Sequence, residues 1–431
     1  MSIPSTSAVA GRRPFAWAAR LWFGTPLWRR ILLGLVLGAA AGLLLGETAL
    51  ELKWIGDVFV RLIRMLVVPL VFVTVVAGVA AMADPARLGS VGAKTIFLYF
   101  ALMLVASAVG LAVGSLIRPG QGVDLSGVAP QPVSEVQGIG ETLINVIPLN
   151  PAAALASGDV LAVIFFAVLF GVGLLVVGDE GRPLKAAFDS AAAVMLRIVY
   201  FIMELAPFGV FALIAWVMGT SGPAAFVSVF KLGVCVIIGS LIQTLIIHGG
   251  LLRLLARVPA LPFFRDIADA MVVAFSTSSS SATLPVAMRV AQRNLGVSPA
   301  IASAVLPIGV TLSMDGTALY VGLLATFSAQ AFGVDLALTD YLAIMAVTTL
   351  VAMGTAPVPS ASLFLLAAVL SVIGLGAEQT ALIVGFILPF DRPLDMIRTI
   401  PNCTSDLSVA VTVARWENEL DMDAYLAKPV E

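Results

Sequence analysis

The chain has 431 residues, of which 60% are hydrophobic and only 12% charged, with a formal net charge of −2 and a mean hydropathy of +1.05. So little polar surface cannot close around a water-soluble core of this size, which points to a polytopic membrane protein and excludes a nucleic-acid binder. His248 is the single histidine and both cysteines, Cys235 and Cys403, sit in apolar sequence, so no ligand cluster suggests a metal centre or a disulfide framework.

The N-terminal segment carries Arg12, Arg13, Arg20, Arg29 and Arg30 and no acid, directly before the apolar run 31–46. The positive-inside bias places this end in the cytoplasm and makes residues 31–46 a retained first span. Within it Gly34, Gly38, Gly42 and Gly46 recur every four residues, a smooth ridge for a second helix. Further apolar segments at 54–82, 93–117, 158–178, 187–218 and 225–256 are each long enough to cross about 30 Å of hydrocarbon. That predicts six spans before residue 260, with the Gly/Pro/Ser-rich stretch Pro119 to Glu141 as an external loop.

The second half is interrupted where the first is continuous. Ser276-Thr-Ser-Ser-Ser-Ser-Ala-Thr-Leu-Pro285 and Gly354-Thr-Ala-Pro-Val-Pro-Ser-Ala-Ser362 lie between apolar helical flanks and read as the tips of two re-entrant hairpins. Non-helical backbone survives at membrane depth only where protein or a wet cavity satisfies it, so the two tips are expected to meet at a binding site. Between them, the span 301–327 is broken by Ser313-Met-Asp-Gly-Thr-Ala-Leu-Tyr320, with Asp315 and Gly316 marking an unwound turn.

The last span holds five ionised side chains and an amide in apolar surroundings: Asp391, Arg392, Asp395, Arg398, Asn402 and Asp406. Leaving Arg392 aside, their spacings of four, three, four and four confine them to an arc of roughly 80° on a helix. Charges in a bilayer face a cavity, a partner or a permeant solute, so this stripe is the candidate site of a transporter. Pro401 is expected to loosen the turn beside Asn402 by leaving the carbonyl of Ile397 without its helical donor. The competing account is a structural ladder pairing Asp395 with Arg398 and Asp391 with Arg392, but it leaves the carboxylates of Asp315 and Asp406 without partners, which is expensive when buried.

Taken together, Ser278-Ser-Ser-Ser-Ala-Thr-Leu-Pro285, Met314-Asp-Gly-Thr-Ala-Leu-Tyr320, Gly354-Thr-Ala and Asp395-Met-Ile-Arg-Thr-Ile-Pro-Asn-Cys-Thr-Ser-Asp406 resemble the dicarboxylate/amino acid:cation symporter family, which includes the glutamate and aspartate transporters. Met65-Leu-Val-Val-Pro69 and Ile147-Pro-Leu-Asn-Pro151 extend the resemblance over nearly the whole chain. It implies an all-α polytopic membrane protein with eight transmembrane helices and two re-entrant helical hairpins, inverted repeats, elevator-type movement and assembly as a homotrimer. The implied division is a basic cytoplasmic N-terminus (1–29), a six-span half (30–260), a transport core of hairpin 1, span 7, hairpin 2 and span 8 (261–416), and a cytoplasmic tail (417–431). Spans one, two, four and five form most of the scaffold, while spans three and six travel with the transport core.

By the same resemblance, Arg398 grips the substrate's side-chain carboxylate, Asp395 its amino group and Asn402 its α-carboxylate, with Ser278, Ser280, Thr317, Val358 and Thr399 completing the site. A guanidinium meets a carboxylate with two parallel hydrogen bonds, which suits an acidic substrate. One sodium is implied near Gly309, Ser313, Asn402 and Asp406, a second near carbonyls of Thr311, Met314, Ala352, Met353 and Thr355, and a third beside Asp315. The sequence departs from the family pattern at Ser313, where asparagine is usual, and at Leu102 and Met103, where a hydroxyl pair is expected; both weaken the third cation site. Ser278 and Met396 stand where an arginine commonly neighbours the substrate aspartate, leaving Arg392 to substitute, and Pro357, Ser360 and Ser362 replace glycines in the second hairpin.

Charge counting gives a separate reason for cation coupling. If Asp395 balances Arg398 and Asp391 balances Arg392, Asp315 and Asp406 leave about two negative charges, and an acidic substrate adds to them. The expected function is symport of aspartate or glutamate with sodium or protons across a bacterial inner membrane, in contact with lipid and without a cofactor. A C4-dicarboxylate such as succinate is the alternative substrate, disfavoured by the presence of both Asp395 and Asp406. An intramembrane hydrolase using the serine run would need a base within hydrogen-bond reach, and His248 lies near a span end.

Overall fold

The computed structural model describes residues 22, 24–25, 27–80, 85–123, 147–157, 160–221, 224–353, 355 and 361–429. Arg12, Arg13, Arg20, most of the 119–141 connection, Gly354, Pro357, Val358 and Ser360 lie outside them, so the expectations placed on those residues are not addressed by the structure.

Helices in chain order are α1 (Leu27–Leu45), α2 (Lys53–Ala80), α3 (Pro85–Ile117), α4 (Pro151–Ser157), α5 (Val160–Val177), α6 (Arg182–Met203), α7 (Ala206–Ser221) and α8 (Ala224–Leu241). They continue as α9 (Ala260–Asp266), α10 (Ala268–Thr277), α11 (Ser280–Arg293), α12 (Pro299–Leu312), α13 (Asp315–Ala331), α14 (Leu338–Met353), α15 (Ala361–Ser371), α16 (Ala377–Trp416) and α17 (Met422–Leu426). Among the described residues there is no β-strand, only an isolated antiparallel bridge between Val297 and Leu420. Among the described residues four stretches are long and apolar enough to cross a membrane: Arg29–Phe59, Ser90–Ile117, Val227–Ala256 and Pro299–Ala331. They differ in setting. Only 22% of the first is buried by protein against 94% of the last, so the first faces outward and the last is enclosed. Large apolar side chains such as Trp54 and Phe230 cover the outer surface, where hydrocarbon and not water is the natural solvent.

Three predicted spans are not single α-helices. The segment 187–218 divides into α6 and α7 at Glu204 and Leu205, where Pro207 lacks an amide hydrogen and Glu204 accepts from both terminal nitrogens of Arg30 at 2.6 and 3.2 Å. Segment 225–256 leaves α geometry after Leu241 and runs as π-helix over Ile242–His248 and Leu252–Ala256. Segment 301–327 breaks at Ser313 and Met314, so that Asp315 opens α13 instead of lying in the unwound turn.

Two glycine seams lock helices together. A Cβ on Gly34, Gly38 or Gly42 would overlap the main-chain carbonyl oxygens of Pro207, Phe211 or Ala215, so α1 and α7 touch backbone to backbone along the predicted ridge. At Gly46 the contact is reversed: it takes a left-handed φ of 55° and opens a short 3₁₀ turn, and a Cβ on Gly219 of α7 would overlap its carbonyl oxygen. In the second seam Gly110 and Gly120 hold α3 and the turn that follows it against the carbonyl oxygens of Leu319 and Phe327 on α13. Buried apolar residues form two cores, one running from Phe59, Leu70 and Leu213 to Leu111 and Leu323 and so spanning both seams, the other including Met103, Leu306 and Leu407.

The 40-residue α16 is about 60 Å long and runs unbroken through Pro401. Pro401 has no amide hydrogen to give the carbonyl of Ile397, yet the helix keeps its course there, packed against α10 to α13 and α15. Beyond it the chain folds back: Asp421 caps α17, Tyr425 is buried and donates to the carbonyl of Pro259 at 2.7 Å, and the Asp421 amide donates to Gly296 O at 2.8 Å.

Candidate functional site

The polar stripe of α16 faces the break between α12 and α13 and the tip joining α10 to α11, and Asp391, Asp395, Arg398, Thr399, Asn402 and Asp406 are all buried. At its centre Arg398 Nη2 lies 2.5 Å from Asp395 Oδ1. Its Nη1 donates to Thr317 Oγ1 at 2.9 Å, and its guanidinium carbon stands 5.1 Å from the ring centroid of Tyr320. The Nε of Arg398 has no hydrogen-bond partner. The guanidinium is thus held flat between a carboxylate, a hydroxyl and an aromatic face, with donor capacity to spare.

Arg392 does not pair with Asp391. Adjacent residues on a helix point about 100° apart, whereas residues three apart share a face, and Arg392 Nη1 lies 3.5 Å from Asp395 Oδ2. Its Nη2 donates to the Thr277 carbonyl at 3.3 Å, tying α16 to the serine tip. Asp391 instead accepts from the Tyr320 hydroxyl at 3.0 Å through Oδ1, while its Oδ2 is without a partner. The competing ladder of two separate ion pairs is not what forms: one carboxylate stands between two arginines and a second is held by a phenol.

The serine run is less open than its composition suggests. Only Ser278 and Ser279 are non-helical: Ser278 adopts φ 51°, and Ser279 caps α11 by accepting from the Ala282 amide at 3.3 Å. Ser278 and Ser280 are buried, and the Ser278 hydroxyl is unpartnered. Thr399 donates to the Asp395 carbonyl at 2.7 Å. Asn402 accepts from the Gly316 amide at 2.7 Å and donates to Met314 Sδ at 3.4 Å, so its amide fastens the start of α13 to α16. Gly316 is required there, since a Cβ would collide with the main-chain carbonyl of Arg398.

The residues expected around cations fall into three groups. Gly309 lies against Asp406 Oδ1 and the Tyr99 hydroxyl, either of which a Cβ at Gly309 would overlap; Ser313 donates to Ser405 at 3.0 Å; and Asp406 Oδ1 has no partner. Thr311 and Met314 flank the end of α12, which packs on α14, the helix that ends in Ala352 and Met353 just before Thr355. Thr355 closes that end by donating from its amide to Ala352 O at 3.1 Å and from its hydroxyl to Val351 O at 3.2 Å. Asp315 belongs to neither group: Gln243 Nε2 and His248 Nε2 each stand 2.9 Å from its Oδ2.

That last contact was not anticipated. Gln243 and His248 are five residues apart, which on an α-helix separates them by about 140°. In the π-helical stretch Ile242–His248 the i→i+5 repeat brings them onto one face. A polar amide in mid-span was the available signal. Tyr99, on α3, was likewise unassigned; it donates to Val305 O at 3.3 Å beside Gly309.

A wholly helical membrane protein with ionised groups gathered at broken helices is built as a secondary transporter. The chain matches the sodium:dicarboxylate symporter family over residues 27–416 and belongs to it. It is 35% identical to the proton/sodium-glutamate symport protein of Bacillus subtilis (strain 168), over 92% of this chain and 94% of that one. It is 37% identical to the C4-dicarboxylate transport protein of Anaeromyxobacter sp. (strain K), over 92% of this chain and 90% of that one. Identity to the proton/glutamate-aspartate symporter of B. subtilis (strain 168) is 35%, over 90% and 94% of the two chains. The protein is a symporter and not an enzyme, which removes the hydrolase alternative; His248, moreover, is engaged with Asp315.

Proposed function

We propose that the chain couples uptake of an acidic amino acid, aspartate or glutamate, to inward movement of sodium ions or protons. The observation that carries this reading is the buried Asp395–Arg398 pair with its spare guanidinium donor, since a substrate bearing an amine and two carboxylates needs both signs of charge at one place. Arg398 takes the side-chain carboxylate, Asp395 the amine and Asn402 the α-carboxylate, with Ser278, Ser280, Thr317, Val358 and Thr399 around them. One cation belongs with Gly309, Ser313, Asn402 and the unpartnered Oδ1 of Asp406, and a second with the carbonyls of Thr311, Met314, Ala352, Met353 and Thr355.

The proposed architecture is eight spans with two re-entrant hairpins, in a homotrimer of the bacterial inner membrane with both termini cytoplasmic. The seams support its division into two bodies: α1 is locked to α7, and α3 to α13, so sliding must occur between these pairs and not within them. A scaffold of spans one, two, four and five beside a moving core of spans three, six, seven, eight and both hairpins satisfies that restriction.

A second reading keeps the fold and makes succinate or malate the substrate. It draws on the two arginines around Asp395, which leave that carboxylate less free for an amine, and on the C4-dicarboxylate relative. Uptake of labelled aspartate, glutamate and succinate into proteoliposomes, with sodium and proton gradients imposed one at a time, separates the readings. Concentrative uptake of succinate but of neither amino acid would refute the first.

A further inference from the structure

We infer that Gln243 and His248 are a built-in replacement for a cation at Asp315, so that this carboxylate binds no transported ion; the inference rests on the symport reading above. Asp315, Gln243 and His248 are all 0% exposed, and a buried carboxylate without compensation costs several kcal/mol. Compensation here comes from the chain itself. Two nitrogens converge on Oδ2, each at 2.9 Å, and the carboxylate as acceptor requires that His248 carry its hydrogen on Nε2.

The surroundings are wrong for an ion. A sodium needs several oxygens pointing inward, whereas Oδ2 is met by an amide nitrogen and a ring nitrogen, and Gln243 Nε2 also leans on the Leu102 carbonyl at 3.5 Å. On α3, Leu102 and Met103 are buried and offer carbon and sulfur. Asp315 Oδ1 and Gln243 Oε1 are both without a partner, so what stands in an ion's way is the pair of nitrogens held on Oδ2. The other charged or titratable groups of this region, Tyr99 on α3 and Asp406 on α16, meet at Gly309 and are close enough to Asp315 to feel its charge.

The π-helical backbone makes the arrangement possible, because only its i→i+5 repeat puts both donors on one carboxylate. Gln243 and His248 thus act as specificity-determining residues for the number of ions carried.

The test is the cation:substrate ratio, from reversal potentials of purified protein in proteoliposomes under sodium and proton gradients. Two coupling cations per substrate are expected. At zero membrane potential a tenfold gradient of the coupling ion then supports about hundredfold accumulation, against about a thousandfold for three. Three cations in the wild type would overturn the inference while leaving the symport reading intact; no uptake of aspartate, glutamate or succinate under any gradient would overturn the symport reading itself. The variant Gln243→Ser/His248→Ser exchanges the two donors for hydroxyl oxygens, and its ratio is expected to rise to three. A transport-competent double variant that stays at two would show that these residues do not exclude the ion. Where the double variant does not fold, a wild-type count of three still overturns the inference.

Discussion

The hydroxyl of Tyr320 donates to Asp391 Oδ1 at 3.0 Å while the face of its ring lies 5.1 Å from the guanidinium carbon of Arg398. One side chain therefore serves a carboxylate and an arginine at once. Tyr320→Phe removes the donor but keeps the ring, leaving a buried carboxylate without its hydrogen bond, and is expected to cost about 1–3 kcal/mol of stability. Thermal unfolding in detergent should show the loss with substrate preference unchanged. Tyr320→Leu removes the ring as well and is expected to weaken substrate affinity in addition; equal affinity in the two variants would mean the ring does not position Arg398.

Arg398→Cys deletes the cation proposed to face the substrate side chain. Truncating one partner of a buried charge pair costs about 2–5 kcal/mol, so affinity for aspartate or glutamate should fall by about thirtyfold or more, with small neutral amino acids admitted in their place. Arg398→Lys is not expected to rescue, because an ammonium cannot reproduce the flat, two-nitrogen contact. Wild-type aspartate affinity in Arg398→Cys would remove this residue from the site.

For Asp395→Ser the expected outcome is loss of discrimination between aspartate and succinate, measured as the ratio of their inhibition constants. Asp395 lies between Arg392 and Arg398 at 3.5 and 2.5 Å, so its charge is shared before substrate arrives. An unchanged ratio would assign the amine to another group and strengthen the C4-dicarboxylate reading.

Just past the end of α16, Glu417 accepts from Lys94 at 2.7 Å and from Ser90 at 2.8 Å, fastening the start of α3 to the end of α16. These two hydrogen bonds hold its carboxyl below the usual carboxylate range. A depressed acid contributes stability that is present above its unfolded pKa and lost as pH falls through the folded one. Wild type should therefore exceed Glu417→Gln in thermal stability at neutral pH by a small margin, since the pair is partly exposed. The margin should vanish once the pH falls below the carboxylate range; a margin that grows on acidification would contradict the assignment.

How far the molecule was readable from its residues depended on whether α-helical periodicity holds. Asp391, Asp395, Arg398, Asn402 and Asp406 keep that period, and all five share the buried face of α16. Arg392 does stand beside Asp395, as its substitution for the usual neighbouring arginine implies, whereas the alternative pairing with Asp391 fails because adjacency in sequence is not adjacency on a helix. Pro401 looked like a point of weakness, yet α16 passes through it intact in its packed setting. Gly34, Gly38 and Gly42 announced a close helix contact, but that α7 would meet them depends on tertiary packing. Periodicity gives no pointer to Gln243, because five residues set it about 140° from His248 on an α-helix and only the π-helical stretch brings them together.

A π-helical turn is an α-helix that has absorbed an added residue, and this makes the pairing of Gln243 with His248 a matter of chain length as much as of side-chain identity. A relative one residue shorter between these positions, with glutamine and histidine four apart, would present the same two donors from an ordinary α-helix. Spacings of four and five are then equivalent spellings of one site. An alignment drawn without a gap through residues 242–248 would set the shared glutamine or the shared histidine opposite an unrelated residue, and would report as divergence a junction that both chains retain.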